Sequence, residues 1–156
     1  MSARANSSAD REILITRIIN APRDLVFDAW VDPKHADKWM GPNGYTTVTQ
    51  SMDARPGGTW RFTMSGPHGV FPSRITYIDV VRPSQLIYRH GADKDNDPDA
   101  FEVTVTFEDL GEKTHITLHS VFPTAAARDK VVKEVKAIES GYQTLEHLEK
   151  YLLSRR

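Results

Sequence analysis

The feature that most constrains the fold is a stripe of apolar residues in the C-terminal part of the chain. Its members recur every three or four residues, the period of one face of an α-helix: Val131, Val135, Ile138, Tyr142, Leu145, Leu148 and Leu152. Thr124 follows Pro123 and can cap the N-terminus of such a helix. The pattern predicts one long helix over residues 124–154, about 45 Å in length at a rise of about 1.5 Å per residue.

The chain before this helix carries the signals of β-strands. Between residues 101 and 108, apolar and polar side chains alternate, as in a strand with one buried face. Turn sequences rich in glycine and proline separate similar segments, and about seven strands are predicted: 11–20, 45–53, 60–64, 71–81, 85–90, 101–108 and 114–122. Strands joined by such short turns run antiparallel.

Two short helices are predicted between the first and second strands. The first follows Pro22 and has one apolar face, formed by Leu25, Val26, Ala29 and Trp30. Asp32-Pro33 ends this helix and begins the second, since Asp caps free N–H groups and Pro suits the first turn. Gly41-Pro42 ends the second helix.

These elements together predict an α+β fold of the helix-grip type. A sheet of this size has one apolar face to bury, and the C-terminal helix is the long element that can cover it. A twisted antiparallel sheet can curl around the helix, and a straight helix leaves space for a ligand inside a strongly curved sheet. Residues 1–10 are predicted to be a flexible tail, and residues 11–156 a single domain.

Composition and charge exclude several functional classes. The chain has no cysteine, which removes disulfides, zinc–thiolate sites and thiol nucleophiles. The formal net charge is -1, so no general attraction to nucleic acid is expected. No segment has the roughly 18 consecutive apolar residues that a membrane span requires. We expect a cytoplasmic protein, monomeric or homodimeric, with no metal and no other cofactor.

Two motifs resemble metal sites without fitting them. Residues 93–99 alternate aspartates as a calcium loop does, but Pro98 stands where the turn needs glycine and Thr104 where a bidentate glutamate belongs. A solvated acidic loop is predicted instead. His115 and His119 have the spacing of a helical metal pair, yet on a strand they lie about 13 Å apart at about 3.3 Å per residue.

Two glycine positions call for an interpretation of their own. Gly57-Gly58 lacks the spaced glycines and following lysine of a phosphate-binding loop, so a tight turn is predicted. Gly141 lies inside the predicted C-terminal helix, where glycine costs about 1 kcal/mol relative to alanine. Close contact between helix and sheet is the favoured interpretation, and room for a ligand is the alternative.

Several segments carry a family resemblance, in the same order and with similar spacing: Asn20-Ala21-Pro22, Val26-Phe27-Asp28-Ala29-Trp30, Trp39-Met40-Gly41-Pro42, Arg55-Pro56-Gly57-Gly58-Thr59-Trp60-Arg61, and Gly141-Tyr142 with Leu145, Leu148 and Leu152. With them the chain resembles single-domain proteins related to the activator of Hsp90 ATPase, in the START and Bet v 1-like superfamily. The resemblance implies a helix-grip fold with an internal cavity. That superfamily includes lipid and hormone binders, polyketide cyclases, antibiotic-sequestering proteins and co-chaperone domains.

Three functions follow as hypotheses. The first is binding of a small hydrophobic molecule in a cavity between the sheet and the C-terminal helix. The second is a module that interacts with a chaperone such as Hsp90. The third is an enzyme of the cyclase or dehydratase type that uses His90, Tyr77 or Glu139 as acid or base. No catalytic residue is assigned, because the sequence has neither a nucleophile elbow nor a zinc-protease helix.

The residues predicted to line the cavity are mainly aromatic or aliphatic: Trp30, Trp39, Trp60, Phe62, Met64, Phe71, Ile75, Tyr77, Tyr88, His90, Phe101, Val103, Val105, Ile138, Tyr142 and Leu145. His90 shares the predicted inner face with Leu86 and Tyr88 and is placed at the cavity mouth. Tyr142 is expected on the inner stripe of the helix, where it would border the cavity together with Trp60 and Phe62. A packed core made by the same side chains is the alternative.

Overall fold

A computed structural model describes residues 9–134 and 136–155. Within them a seven-stranded antiparallel sheet packs against helices, which confirms the predicted α+β helix-grip fold. The strands are β1 (Glu12–Ile19), β2 (Thr46–Met52), β3 (Thr59–Gly66), β4 (Gly69–Val81), β5 (Gln85–Ala92), β6 (Phe101–Asp109) and β7 (Thr114–Val121). The helices are α1 (Arg23–Val31), α2 (Pro33–Trp39), α3 (Ala125–Glu134) and α4 (Ala137–Ser154). Residues 1–8 of the predicted tail lie outside the described residues, and Ala9–Arg11 form a 3-10 turn.

The strand order in the sheet is β1-β7-β6-β5-β4-β3-β2. The chain starts at one edge, crosses to the other edge through α1 and α2, and returns strand by strand. The register sets Trp60, Ile75, His90 and Phe101 side by side in one row on the inner face. The row beside it contains Tyr77, Tyr88 and Val103, and most of these side chains are buried.

Helices α1 and α2 close one end of the sheet where the sequence predicts them. The side chain of Asp32 accepts a hydrogen bond from the backbone N–H of Lys34 at 2.9 Å, as expected for a helix cap. The rings of Trp30 and Trp39 pack edge to face with their centres 4.9 Å apart, and Trp30 also packs on Phe107. This aromatic cluster buries the inner faces of both helices.

The C-terminal helix is divided, so the prediction of one helix over residues 124–154 is wrong. Its start is as expected, because the hydroxyl of Thr124 accepts a hydrogen bond from the backbone N–H of Ala127 at 3.0 Å. Lys136 has a left-handed φ of 53°, a conformation that a right-handed helix excludes, and α4 begins at the next residue. Val135, part of the predicted stripe, lies outside the described residues.

The buried face of α4 is also rotated relative to the predicted stripe. Leu145, Leu148 and Leu152 are buried as expected, but Tyr142 is 43% exposed and does not lie on the inner face. Gly141 lies against Ile15 of β1 instead, which is the favoured interpretation of that glycine. Because glycine has no side chain, it leaves no apolar signal in the stripe, and the periodicity places the neighbouring tyrosine on the inner face instead.

A charged contact fixes α4 along the edge of the sheet. Glu149 pairs with Arg17 of β1, with 2.7 Å between Oε1 and the guanidinium, and its other oxygen accepts a hydrogen bond from the backbone N–H of Asn20. Burial opposes ionisation of Glu149, but these hydrogen bonds hold the pKa of its carboxyl below the usual value. Within residues 9–134 and 136–155, no helix combines the length and apolar character needed to cross a bilayer.

Candidate ligand pocket

A pocket of about 640 Å³ opens between the end of the β3–β4 hairpin and the start of α4. Its apolar wall is formed by Pro42, Tyr45, Met64 and Phe71. Its rim is polar and consists of Asn43, His68, Glu134, Lys136, Glu139, Ser140 and Gln143. A volume of this size is within the range of about 300–1,000 Å³ that is typical of small-molecule sites.

Strand register places the apolar wall at the end of the inner face. Met64 pairs with Phe71 across the hairpin, two residues beyond the pair formed by Phe62 and Ser73. Side chains two residues apart point to the same face of a strand, so Met64 and Phe71 lie on the same inner face as Phe62 and Ser73. Phe62 is 1% exposed whereas Phe71 is 39% exposed, because the helices do not cover this end of the sheet.

Tyr45 owes its position to a glycine in the hairpin. A Cβ at position 66 would fall 2.4 Å from Cδ2 of Tyr45, so the ring lies directly on the backbone of Gly66. The ring of Tyr45 is tilted against that of Phe71, with 6.2 Å between their centres. A larger residue at position 66 would therefore displace one side of the apolar wall.

The loop at residues 41–43 is tied to α4 next to the pocket. Nδ1 of His147 lies 2.9 Å from the carbonyl oxygen of Gly41, to which it can donate, and Nε2 lies 2.7 Å from Oδ1 of Asn43. The backbone N–H of Asn43 donates to the side-chain oxygen of Gln143 at 3.0 Å. These bonds hold the loop and its Pro42 at a fixed distance from the helix.

Three charged side chains of the rim are exposed: Glu134, Lys136 and Glu139. Among the described residues, none of the three takes part in an ion pair. Glu139 is one of the candidate acids or bases named from the sequence, and it lies on this rim rather than in the core. The rim therefore has ionisable groups at the surface and an apolar wall beneath them.

A continuous series of aromatic rings lies deeper on the inner face. Ring centres are 4.3 Å apart for Trp60 and Phe62, 5.9 Å for Phe62 and His90, and 5.1 Å for His90 and Phe101. Phe101 stacks in turn on Phe122. Burial lowers the pKa of His90 to about 4, so the imidazole is neutral at pH 7.

Two tyrosines occupy the neighbouring row. Tyr77 and Tyr88 are paired across β4 and β5, with 6.4 Å between their ring centres. Burial is the main cause that raises the pKa of both phenols, so both remain protonated. In the part of the chain that the structure describes, the buried hydroxyl of Tyr77 and the buried indole nitrogen of Trp30 have no hydrogen-bond partner.

The structure brings some of the sequence-predicted residues together and separates others. Met64 and Phe71 line the open pocket. A second group shares the inner face of the sheet or contacts it within the core: Trp60, Phe62, Ile75, Tyr77, Tyr88, His90, Phe101, Val103, Val105 and Leu145. Trp30 and Trp39 lie in the cluster of α1 and α2, Ile138 is partly buried, and Tyr142 is exposed.

Sequence reasoning missed several residues of the pocket. Pro42, Asn43 and His68 lie in loops and turns, where no periodicity shows which way a side chain points. The sequence predicts Tyr45 as the first residue of a strand, whereas it directly precedes β2. The available signal was Gly66, because a glycine at the end of a strand often marks the close approach of another group.

The acidic loop at residues 93–99 is engaged in ion pairs, so the prediction that it is simply solvated is incomplete. Asp93 accepts hydrogen bonds from Arg61 and Arg74, which hold the pKa of its carboxyl below the usual value, and Asp95 pairs with Arg74. Asp97 accepts backbone hydrogen bonds from Ala92 and Asp99. Across the described residues, no group of three potential ligands is arranged to hold a metal ion.

The two strand histidines have separate partners, as their predicted spacing requires. His115 contacts Glu108 at 3.0 Å, and His119 contacts Glu12. Each histidine thus has its own carboxylate on a neighbouring strand.

Comparison with protein families gives one match. The model described as Activator of Hsp90 ATPase homolog 1-like protein matches residues 20–153 of this chain. Comparison with curated proteins finds none that matches.

Solved structures with the same fold include bacterial proteins of low sequence identity. A protein from Staphylococcus epidermidis is 25% identical with a TM-score of 0.81, and the match covers 94% of this chain and 92% of that one. A protein from Arthrobacter aurescens is 20% identical with a TM-score of 0.86, covering 95% and 89%. Protein Ms6760 from Mycobacterium smegmatis is 20% identical with a TM-score of 0.85, covering 96% of each chain.

Proposed function

This chain belongs to the Activator of Hsp90 ATPase homolog 1-like family, and we propose that it binds a small apolar molecule in the pocket between the β3–β4 hairpin and α4. The observation that carries the proposal is the pocket itself, which is concave and has an apolar wall under a polar rim. Small-molecule sites commonly combine a hydrophobic lining with a few polar groups that orient the ligand.

The exposure of Phe71 supports this proposal. Trp60 and Phe62 on the same inner face are each only 1% exposed, whereas Phe71 is 39% exposed. Removing apolar surface from water is favourable by about 25 cal/mol per Å². An apolar ligand that covers Phe71 and Met64 would gain this free energy. Because both side chains already line the pocket, the packed core would not have to rearrange.

The polar rim would orient a ligand in the pocket. Asn43 and Gln143 are already hydrogen-bonded to each other, so they provide a fixed edge. Glu139 and Lys136 are exposed at the mouth of the pocket and stay in water. A ligand would therefore place its apolar part against Tyr45 and Phe71 and keep any charged group at the rim.

The test measures binding of N-phenyl-1-naphthylamine, a neutral apolar dye whose fluorescence rises in apolar surroundings. Phe71→Ala should weaken dye binding several-fold, because the ring is part of the wall. Val70→Ala is the matched control, since Val70 is exposed on the opposite face of the same strand and should bind as the wild type does. The same protein purified from its own host should be examined by native mass spectrometry for a co-purified molecule.

Two results would reject the proposal. One is wild-type protein that neither binds the dye nor carries a co-purified molecule. The other is equal dye affinity in wild type, Phe71→Ala and Val70→Ala, which would place the dye elsewhere.

A second candidate function is interaction with a chaperone, which the description of the family suggests. The structural feature in its favour is a pair of apolar side chains on the outer face of the edge strand β1, where Leu14 is 60% and Ile18 is 54% exposed. The test is stimulation of the ATPase of purified Hsp90 by wild-type protein and by a Leu14→Ser/Ile18→Ser variant. Equal ATPase rates with and without the protein would reject this function.

A further inference from the structure

A group of polar side chains lies where α2 meets the C-terminal end of α4. Its members are Asp32, His35, Tyr151 and Arg155. Asp32 directly precedes α2 and Arg155 directly follows α4, so each helix brings one ring and one flanking charge to the same place. None of these side chains is among the described residues that line the pocket.

The hydroxyl of Tyr151 lies between a base and a cation. Its oxygen is 2.6 Å from Nδ1 of His35, a short hydrogen bond, and 3.3 Å from a guanidinium nitrogen of Arg155. The guanidinium carbon is also 5.5 Å from the centre of the phenol ring. The phenol can therefore pass its proton to the imidazole, while the guanidinium donates a hydrogen bond to the oxygen that becomes negative.

Asp32 favours the tautomer of His35 that can accept this proton. One carboxylate oxygen of Asp32 accepts the backbone N–H of Lys34 in the helix cap, and the other lies 3.9 Å from Nε2 of His35. A negative charge on that side of the ring favours a proton on Nε2, which leaves Nδ1 free to accept from Tyr151. A carboxylate behind an imidazole has the same role in a Ser-His-Asp triad, where it orients the base and stabilises the imidazolium.

We propose that Tyr151 is a nucleophilic site that accepts an acyl group from an activated ester. The phenol oxygen attacks the carbonyl carbon of the ester while Nδ1 of His35 takes the hydroxyl proton. A bond forms between the phenol oxygen and the carbonyl carbon, and the bond from that carbon to the leaving oxygen breaks. The leaving group takes the proton from the imidazolium, so the products are a tyrosyl ester and a free alcohol or phenol. Arg155 stabilises the negative charge on the phenol oxygen.

A second tyrosine of α4 provides an internal control. Tyr142 is 43% exposed, whereas Tyr151 is partly buried. If exposure alone controlled reactivity, Tyr142 would react first. If proton transfer to His35 controls it, Tyr151 reacts first. Trypsin cleaves after Lys150, so the two tyrosines are released on separate peptides and can be quantified in one sample.

The experiment treats the full chain with benzenesulfonyl fluoride and measures the modification of each tyrosine by peptide mass spectrometry. The phenol oxygen bonds to sulfur, fluoride leaves, and the stable product reports the nucleophilicity of each phenol. The proteins are wild type, His35→Gln, Arg155→Gln and the control His115→Gln. Glutamine at position 35 keeps a hydrogen-bond acceptor but is not a base. His115 is a matched control because it also contacts a carboxylate, that of Glu108.

In wild type and in His115→Gln, Tyr151 should be modified at least about tenfold faster than Tyr142, because general-base assistance commonly exceeds this factor. His35→Gln should lower the rate at Tyr151 to that of Tyr142 or below. Arg155→Gln should also lower the rate at Tyr151. The rate at Tyr142 should be the same in all four proteins.

Two buried tyrosines report whether each variant is folded. Tyr77 and Tyr88 are 3% and 5% exposed, so they should remain unmodified as long as the core is closed. If they become modified in His35→Gln, that variant has opened, and Arg155→Gln decides instead. An unchanged rate at Tyr151 in Arg155→Gln would then overturn the inference, and a lower rate would support it.

Transfer of an acyl group is tested with p-nitrophenyl acetate. Release of p-nitrophenolate reports attack on the ester whether or not the tyrosyl ester is later hydrolysed. Wild type should release it at least about twofold faster than Tyr151→Phe, which keeps the ring and removes the nucleophile. The rate that remains in Tyr151→Phe is the background from other side chains.

Either of two results would overturn the inference. One is sulfonylation of Tyr151 that is no faster than that of Tyr142, or that a folded His35→Gln variant leaves unchanged. The other is equal release of p-nitrophenolate by wild type and Tyr151→Phe, which would show that Tyr151 accepts no acyl group. Ligand binding in the pocket is tested with other residues and does not depend on these outcomes.

Discussion

Gly141 of α4 lies so close to Ile15 of β1 that a Cβ at position 141 would be 2.1 Å from Cδ1 of Ile15. The helix backbone therefore rests directly on a buried side chain of the edge strand. From this contact the buried face of α4 continues through Leu145, Leu148 and Leu152. The contact sets the rotation of α4 and, with it, the side chains that the start of the helix presents to the pocket.

Gly141→Ala should destabilise the protein slightly. The added methyl overlaps Ile15, and overpacking a core costs about 1–3 kcal/mol, whereas alanine is better than glycine in a helix by about 1 kcal/mol. The expected net loss is about 0–2 kcal/mol in the free energy of unfolding, measured by urea denaturation.

The background variant Ile15→Val tests the cause, because it removes the overlapping Cδ1 atom. In that background Gly141→Ala should no longer destabilise and should stabilise by up to about 1 kcal/mol. Additive effects of the two substitutions would show that the close contact does not control the stability of α4.

Tyr142→Ala should have little effect on stability. The side chain is 43% exposed, and substitutions at exposed positions usually change the free energy of unfolding by about 0.5 kcal/mol or less. Trp60→Ala is the comparison, since Trp60 is fully buried in the ring series and its truncation should cost about 3–5 kcal/mol. A loss of several kcal/mol for Tyr142→Ala in chemical denaturation would place this ring in the core after all.

Acid should destabilise the protein partly through His90. Burial lowers the pKa of this imidazole from 6.5 to about 4 in the folded protein, so protonation favours the unfolded chain. Its contribution is fully present above the unfolded pKa and is lost as the pH falls towards the folded pKa. The loss should be at most about 2 kcal/mol between about pH 6.5 and about pH 4.5.

The variant His90→Phe isolates this contribution because it keeps an aromatic ring between Phe62 and Phe101. Its free energy of unfolding should fall less steeply than that of wild type over the same pH interval, while the two curves run parallel above about pH 7.5. Identical pH profiles over the whole range would show that His90 titrates equally in the folded and unfolded states.

Calcium should not bind to the acidic loop at residues 93–99. Three of its four carboxylates are already used, since Asp93 and Asp95 pair with Arg74 and Asp97 accepts two backbone hydrogen bonds. The loop also lacks the glycine and the bidentate glutamate of a calcium site. Calorimetric titration should show no saturable site of micromolar affinity, and a site that Asp95→Ala abolished would contradict this expectation.

The sequence alone determined the fold and the order of the elements, except for the division of the C-terminal helix into α3 and α4. Alternation at residues 101–108, turn residues between strands and the Asp32-Pro33 boundary are local signals, and each one predicted the element that the structure has there. Trp60, Phe62 and Tyr88 were likewise placed on the inner face, because a strand with period two has only two faces to choose between.

Only the tertiary structure decided where the inner face is covered and where it opens. Met64 and Phe71 have the same strand pattern as Phe62, yet they border a pocket because no helix reaches the end of the β3–β4 hairpin. The break at Lys136 and the contact of Gly141 with Ile15 set the position of α4, and both depend on the sheet that the helix meets. Periodicity reports the face on which a side chain lies, whereas burial depends on what packs against that face from a distant part of the chain.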